Sequence, residues 1–209
     1  MRPMDLLISA IITSLGFAGF AFLHTLLARR TVKEKLFGRW SALGRYYRLL
    51  YTLFALATFA AWYLLSPFPE GILYRIPFPY SIPFRIAQGF GLAGFLLSLR
   101  AVDLGEFIGT AQLTASPDEL RPTGRQPAGE LVTDGLYGWV RHPLYTTSVM
   151  VLLFNPVMSL KLGLITLLVA IYSWVGSLYE ERNLVAQYGR AYEEYRQKVP
   201  RFIPKIPLF

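Results

Sequence analysis

Cysteine is absent from this chain of 209 residues, and histidine occurs twice. The first absence excludes disulfides, thiolate metal sites and a cysteine nucleophile. The two histidines, His24 and His142, stand in different contexts with no ligand partner at a recognised spacing, so no metal is expected. A serine hydrolase is poorly supported, because no G-x-S-x-G occurs. Charge is also scarce, at 16% of residues, and it is missing from long runs: residues 6–28, 49–68, 144–160 and 162–179 contain no Asp, Glu, Lys or Arg.

What is present is apolar. At 54% hydrophobic and 15% aromatic residues, the chain is too apolar for an ordinary soluble domain. The first two charge-free runs are long enough for a hydrocarbon core that needs about 20 residues, and the last two are marginal alone. The first run is about twice the length of a signal-peptide core and later spans follow it, so it reads as a retained helix.

The net charge of +8 would suggest nucleic acid for a soluble protein. Here the basic residues sit beside the spans: Arg29, Arg30, Lys33, Lys35, Arg39, Arg45 and Arg48 between the first two, and Arg182, Arg190, Arg196, Lys198, Arg201 and Lys205 in the tail. No nucleic acid is expected. The positive-inside rule makes both regions cytoplasmic and puts residues 69–81 and Lys161 on the other face. The expectation is an all-α integral membrane helical bundle of about five transmembrane helices, N-terminus outside, with a tight C-terminal hairpin. Residues 1–209 form a single domain, with 1–103 as a three-helix scaffold and 104–209 as the loop, hairpin and tail.

Taken in order, the first helix covers about Asp5–Ala28, with Gly16 and Gly19 on a small-residue face. Its His24 is open to two readings, a hydrogen bond to a loop or an intramembrane functional group. The second helix covers Gly44–Ser66. Pro77, Pro79 and Pro83 then exclude a regular helix, so this stretch reads as an external interfacial loop. The third helix, Pro83–Asp103, contains Gly89, Gly91 and Gly94 in a G-x-G-x-x-G pattern. The dinucleotide reading is rejected, because that motif needs a preceding strand. Arg100 and Asp103 share a face of this helix, as a snorkelling ion pair or as pocket groups. Residues 104–136 form a long polar loop of the kind that serves as a lid.

The informative stretch is Leu131–Pro204. Pro143 suits the first turn of a helix and places His142 at or next to its N-cap. Pro156 must kink or end that helix. The next one runs through Glu180 and Glu181 to Tyr188, with Gly189 as its cap. A short amphipathic helix, Arg190–Lys198, then lies at the surface with Tyr192 and Tyr195 facing the membrane. Antiparallel helices here bring His142, Tyr145, Glu180 and Glu181 to one membrane face. Arg141 is either an interfacial anchor or a pocket group. S-adenosylmethionine would use this whole set: its ammonium suits a carboxylate, its carboxylate a helix N-terminus or cation, and its sulfonium an aromatic face.

The order LVTxGxYxxxRHPxY, then Asn-Pro in an apolar run, Glu-Glu, G-x-x-Y-x-x-Y and Val-Pro resembles the membrane methyltransferases related to isoprenylcysteine carboxyl methyltransferase and phospholipid N-methyltransferases. His24-Thr25-x-x-Ala28, GRYYRLLY at 44–51 and DLGEFIGTAQL at 103–113 resemble the NnrU-like branch, which includes methanethiol S-methyltransferases. One departure is Thr146-Thr147 after Tyr145, where many relatives have glycine.

The resemblance implies an S-adenosylmethionine-dependent methyltransferase in a bacterial or archaeal cytoplasmic membrane, its active site facing the cytoplasm. Tyr137, Arg141, His142, Pro143, Tyr145, Glu180 and Glu181 would hold the cofactor. The acceptor would be lipophilic or small and membrane-permeant: a thiol, an isoprenylcysteine-type carboxylate or a lipid amine. Arg100, His24 and Asp103 are the catalytic candidates, since a thiol must react as thiolate and an amine as the neutral base. An NADPH-dependent reductase related to sterol reductases and a non-catalytic NnrU-like membrane protein are the alternatives. Lateral entry of the acceptor is expected through a gap between the third helix and the shortened fourth.

Overall fold

The computed structural model describes residues 2–29, 32, 35, 44–100, 104–114 and 131–205. The chain divides into two compact units, Met1–Pro69 with Val102–Gly129, and Glu70–Ala101 with Glu130–Phe209. Among the described residues the fold is all-α apart from one two-stranded ribbon.

The first unit is built on α1 (Pro3–Ala28) and α2 (Gly44–Leu65). Gly16 admits the Trp62 ring, which a Cβ at that position would meet at 3.0 Å. The indole Nε1 donates to the Thr13 carbonyl at 2.9 Å, and Phe17 meets the same ring edge-on at 5.1 Å. The small-residue face thus works at Gly16, whereas Gly19 faces open space. Two short helices, α4 (Leu104–Ile108) and α5 (Ala111–Thr114), also pack on α2. Part of the stretch read as a continuous polar loop is therefore helical. Arg48 fixes it, with Nε donating to the Phe107 carbonyl at 2.8 Å. At Gly109, φ is +105° and a side chain would meet the Leu49 backbone nitrogen at 2.4 Å, so only glycine fits.

The second unit contains α3 (Ile82–Leu99), α6 (Pro143–Leu153), α7 (Leu160–Tyr188) and α8 (Arg190–Lys198). Helix α6 has 11 residues, about 16 Å at 1.5 Å per residue, and so crosses only half of a 30 Å core. Asn155-Pro156 ends it, as the ring of Pro156 requires. The chain then returns to α7 through an extended segment, not a second helical arm. Extended backbone at membrane depth needs partners. The strand β2 (Val157–Ser159) finds them in β1 (Ile72–Arg75), its antiparallel partner. The Ile76 and Leu160 amides extend the pairing to the Pro156 and Gly71 carbonyls, both at 2.9 Å. The segment expected as an external loop is thus partly a strand. Its prolines exclude helix, but Ile72–Arg75 precedes all of them.

Two further expectations are corrected. A Cβ at Gly94 would lie 2.7 Å from Thr147 Cγ2, and one at Gly91 would lie 3.1 Å from Met150 Cβ. Helices α3 and α6 are therefore in close contact, and no gap for lateral entry opens between them. The glycines serve packing, and Gln88 Nε2 adds a bond to the Val151 carbonyl at 2.9 Å. On α8, Tyr192 and Tyr195 are 1% and 8% exposed; they face inward, not to the membrane.

Four helices, Pro3–Ala28, Tyr46–Leu65, Ile82–Leu99 and Leu160–Tyr188, are long and apolar enough to cross a bilayer. Their outward faces carry large apolar residues such as Leu15, Phe22, Leu65 and Phe90, a surface suited to lipid and too apolar for water. Helix α7 has 29 residues. Glu180 therefore lies about 30 Å from its start, at the far edge of the hydrocarbon.

Candidate functional site

The site forms where α6 begins and α7 leaves the core. Pro143 opens α6 and His142 is its N-cap, with φ -124° and ψ 65°, outside the helical region that a following proline disfavours. The tail segment after α8 runs beside Arg141 and His142. The Arg141 amide donates to the Pro200 carbonyl at 2.9 Å and the His142 amide to the Arg201 carbonyl at 3.2 Å. Thr146 Oγ1 adds a bond to the Phe202 carbonyl at 3.0 Å. The Tyr195 hydroxyl donates to the Tyr137 carbonyl at 2.6 Å, tying α8 to the 3-10 turn Gly135–Gly138.

At the centre is Glu181, 6% exposed. Its Oε1 accepts from Arg141 Nη2 at 2.7 Å and Nε at 2.9 Å, from Arg201 Nε at 3.0 Å and from His142 Nε2 at 3.1 Å. Its Oε2 accepts from Arg201 Nη2 at 2.7 Å. A buried carboxylate with this many charge-assisted bonds is saturated. Arg141 is saturated as well, since Nη1 also donates to the Val199 carbonyl at 2.6 Å and to the Arg196 carbonyl at 3.0 Å. It caps the C-terminal carbonyls of α8, where a cation is favoured. Arg141 is thus bound into the frame of the site, its side chain 9% exposed.

Glu180 differs from its neighbour. Its side chain is 48% exposed, and Oε2 lies 3.5 Å from His142 Nδ1. The Tyr145 hydroxyl lies against it, and the Tyr145 ring stacks on His142 with centroids 5.6 Å apart. Gly176 leaves room for that hydroxyl, which a Cβ there would meet at 3.5 Å. Burial, and then the negative charge of Glu180, hold the Tyr137 phenol above its usual value. The result is one open carboxylate bracketed by Tyr137, His142 and Tyr145. Behind it Tyr192 is pushed up to about 12, by burial first and by the Glu181 charge second.

Of the sequence-predicted site residues, Tyr137, Arg141, His142, Pro143, Tyr145, Glu180 and Glu181 all come together in the second unit. Arg100 is exposed at the C-cap of α3. His24 belongs to the first unit, its Nε2 2.9 Å from the Tyr51 hydroxyl. Asp103 lies outside the described residues. Sequence reasoning missed Arg201, Phe202 and Trp174. Trp174 is two helical turns before Glu181, so the spacing alone puts both on one face of α7. The Arg201 guanidinium lies 5.5 Å from the Trp174 ring centre.

Four helices long and apolar enough to span a bilayer define the class, an integral membrane protein. The isoprenylcysteine carboxyl methyltransferase (ICMT) family model matches residues 122–185. A methanethiol S-methyltransferase of Crocosphaera subtropica is 28% identical over 98% of this chain and 79% of its own length. Another, from a Pseudomonas species, is 27% identical over 97% of this chain and 75% of its own. The protein-S-isoprenylcysteine O-methyltransferase of Schizosaccharomyces pombe is 41% identical over 37% of this chain and 34% of its own length. No solved structure matches the chain. The chain is thus similar to the isoprenylcysteine carboxyl methyltransferase-like membrane methyltransferases, most extensively to the methanethiol S-methyltransferases, and these likenesses support a membrane methyltransferase.

Proposed function

We propose that the methyl donor is S-adenosylmethionine and the acceptor a small alkyl thiol. The observation that carries the donor assignment is the division of labour between adjacent carboxylates. Glu181 is sealed by two guanidiniums, while Glu180 stays half-exposed beside His142, Tyr145 and Tyr137. An open carboxylate among aromatic faces fits a ligand that carries both an ammonium and a sulfonium. When bound, this donor supplies a methyl carbon on a sulfonium; an acceptor thiolate takes it by in-line displacement, and a neutral thioether leaves.

The chain's own residues then bind and orient. Glu180 and His142 take the polar end of the methyl donor, and Tyr145 and Tyr137 wall it. Arg141 and Glu181 hold the frame without meeting the ligand. On the acceptor side the groups to test by substitution remain His24, Arg100 and Asp103, with His24 or Asp103 as the candidate base. The thiol is favoured over an isoprenylcysteine carboxylate because two methanethiol S-methyltransferases align with nearly the whole chain, including its first unit. The isoprenylcysteine enzyme of S. pombe aligns with little more than a third. The basic residues beside the spans support a site at the cytoplasmic face, and the resemblance implies a bacterial or archaeal membrane.

The test is transfer of labelled methyl from S-adenosylmethionine by the purified protein. Methanethiol or ethanethiol should be methylated and an isoprenylated cysteine analogue should not. Preference for the prenyl substrate would overturn the acceptor, and the absence of transfer to any of them would overturn the activity.

A further inference from the structure

Arg201 lies outside the RHP-x-Y and Glu-Glu signatures, yet it holds the same inner carboxylate that His142 meets. Its Nη2 and Nε are 2.7 Å and 3.0 Å from Glu181 Oε2 and Oε1. Its guanidinium rests over Trp174 at 5.5 Å, and its carbonyl receives the His142 amide at 3.2 Å. The next residue, Phe202, packs its ring 5.8 Å from His142 and 5.7 Å from Trp174. This two-residue segment therefore touches His142 through backbone, ring and shared carboxylate.

The consequence falls on the proton of His142. Glu181, facing two guanidiniums, is an ionised acceptor, so the His142 Nε2 that meets it at 3.1 Å must carry the hydrogen. In the neutral ring Nδ1 is then an acceptor, and it looks onto Glu180 Oε2, a second acceptor, at 3.5 Å. Two acceptors at that spacing are unfavourable unless one donor group lies against both.

We infer that Arg201 is a positioning residue of the methyl-donor site: by fixing Glu181 it sets the His142 tautomer, and His142 Nδ1 with Glu180 Oε2 receives the protonated amine of the ligand. This rests on the reading that S-adenosylmethionine binds here.

The experiment has two arms. In protein carrying His24→Gln, His142 is the sole histidine, and nitrogen NMR of labelled imidazole reads its tautomer without any ligand. The Nε2-protonated form is expected with Arg201 present, and a tautomer mixture in Arg201→Gln. In protein with His24 intact, calorimetry compares S-adenosylmethionine with its analogue lacking the α-amine. Arg201→Gln should weaken S-adenosylmethionine about tenfold and the analogue hardly at all, with kcat at saturating methyl donor nearly unchanged. Arg201→Lys, which keeps the charge but not the fork, should recover part of the affinity and serves as the variant if the glutamine form does not fold.

Failure of the unaltered protein to bind S-adenosylmethionine would overturn the donor assignment, while the tautomer still reports on Arg201. An unchanged tautomer in Arg201→Gln, a cationic His142 ring at neutral pH, or equal losses for both ligands would overturn the positioning role.

Discussion

Neighbouring side chains of identical chemistry do different work here because one residue step, about 100° around the helix, separates inside from outside. Glu181 meets Arg141, Arg201 and His142; Glu180 meets a half-open space. Replacing Glu181 with Gln leaves two guanidiniums facing each other without a counter-charge. It should cost about 3 kcal/mol, at the lower end for a broken buried pair because Arg201 is partly exposed, and thermal unfolding in detergent reads this. The buried tyrosines of α8 give a second residue-level expectation. Tyr192 and Tyr195 are raised from 10 to about 12, by burial first. A raised value means that the folded state prefers the proton, so this contribution is fully present below pH 10 and is lost as pH rises through about 12. Tyrosinate absorbance should show these two phenols among those titrating late, together with release of the tail; ordinary titration of every tyrosine would contradict their burial. The sequence named both carboxylates but not which was which, since that depends on Arg201, twenty residues on and brought back by α8.

Among the elements, the contact of α3 with α6 is the tightest test of helix packing. Gly94 faces Thr147 Cγ2, while Thr147 Oγ1 bonds back to the Pro143 carbonyl at 2.7 Å. Gly94→Ala should destabilise by about 1 to 3 kcal/mol through overpacking. Thr147→Ser removes the offending methyl and keeps the hydroxyl, so the double variant should recover most of the loss, a coupling expected of residues in contact. Additive losses would show that the helices do not meet there. Helix boundaries in this half were readable because Pro143, Pro156 and Gly189 are local signals. The β1–β2 ribbon was not, since its partners are eighty residues apart and its pairing answers a need for backbone satisfaction at membrane depth that no local pattern announces. The inward turn of Tyr192 and Tyr195 was missed for a related reason: an amphipathic face does not say whether lipid or protein covers it.

At the scale of the molecule, the charge-free runs were sufficient to make this a membrane protein, and the ordered motifs of the last third named its class. The first unit's His24, Arg48 and Tyr51 were legible as a cluster of family-like segments, but not as chemistry. The expected topology, five crossings with an external N-terminus, would put Tyr80 and Arg190 on opposite faces. Both side chains are exposed, so Tyr80→Cys and Arg190→Cys in this cysteine-free chain should react with an impermeant thiol reagent from opposite sides of a sealed vesicle; labelling from one side would reverse the topology. The most direct measurement is calorimetric titration of S-adenosylmethionine into the purified protein and its Glu180→Gln variant, with thermal unfolding of both. Binding to the unaltered protein is expected, with a loss of about tenfold or more in the variant, the equivalent of one charged hydrogen bond at about 1.5 to 3 kcal/mol, and no change in melting. No binding to the unaltered protein, or equal binding to both, would contradict a methyl-donor site built on Glu180.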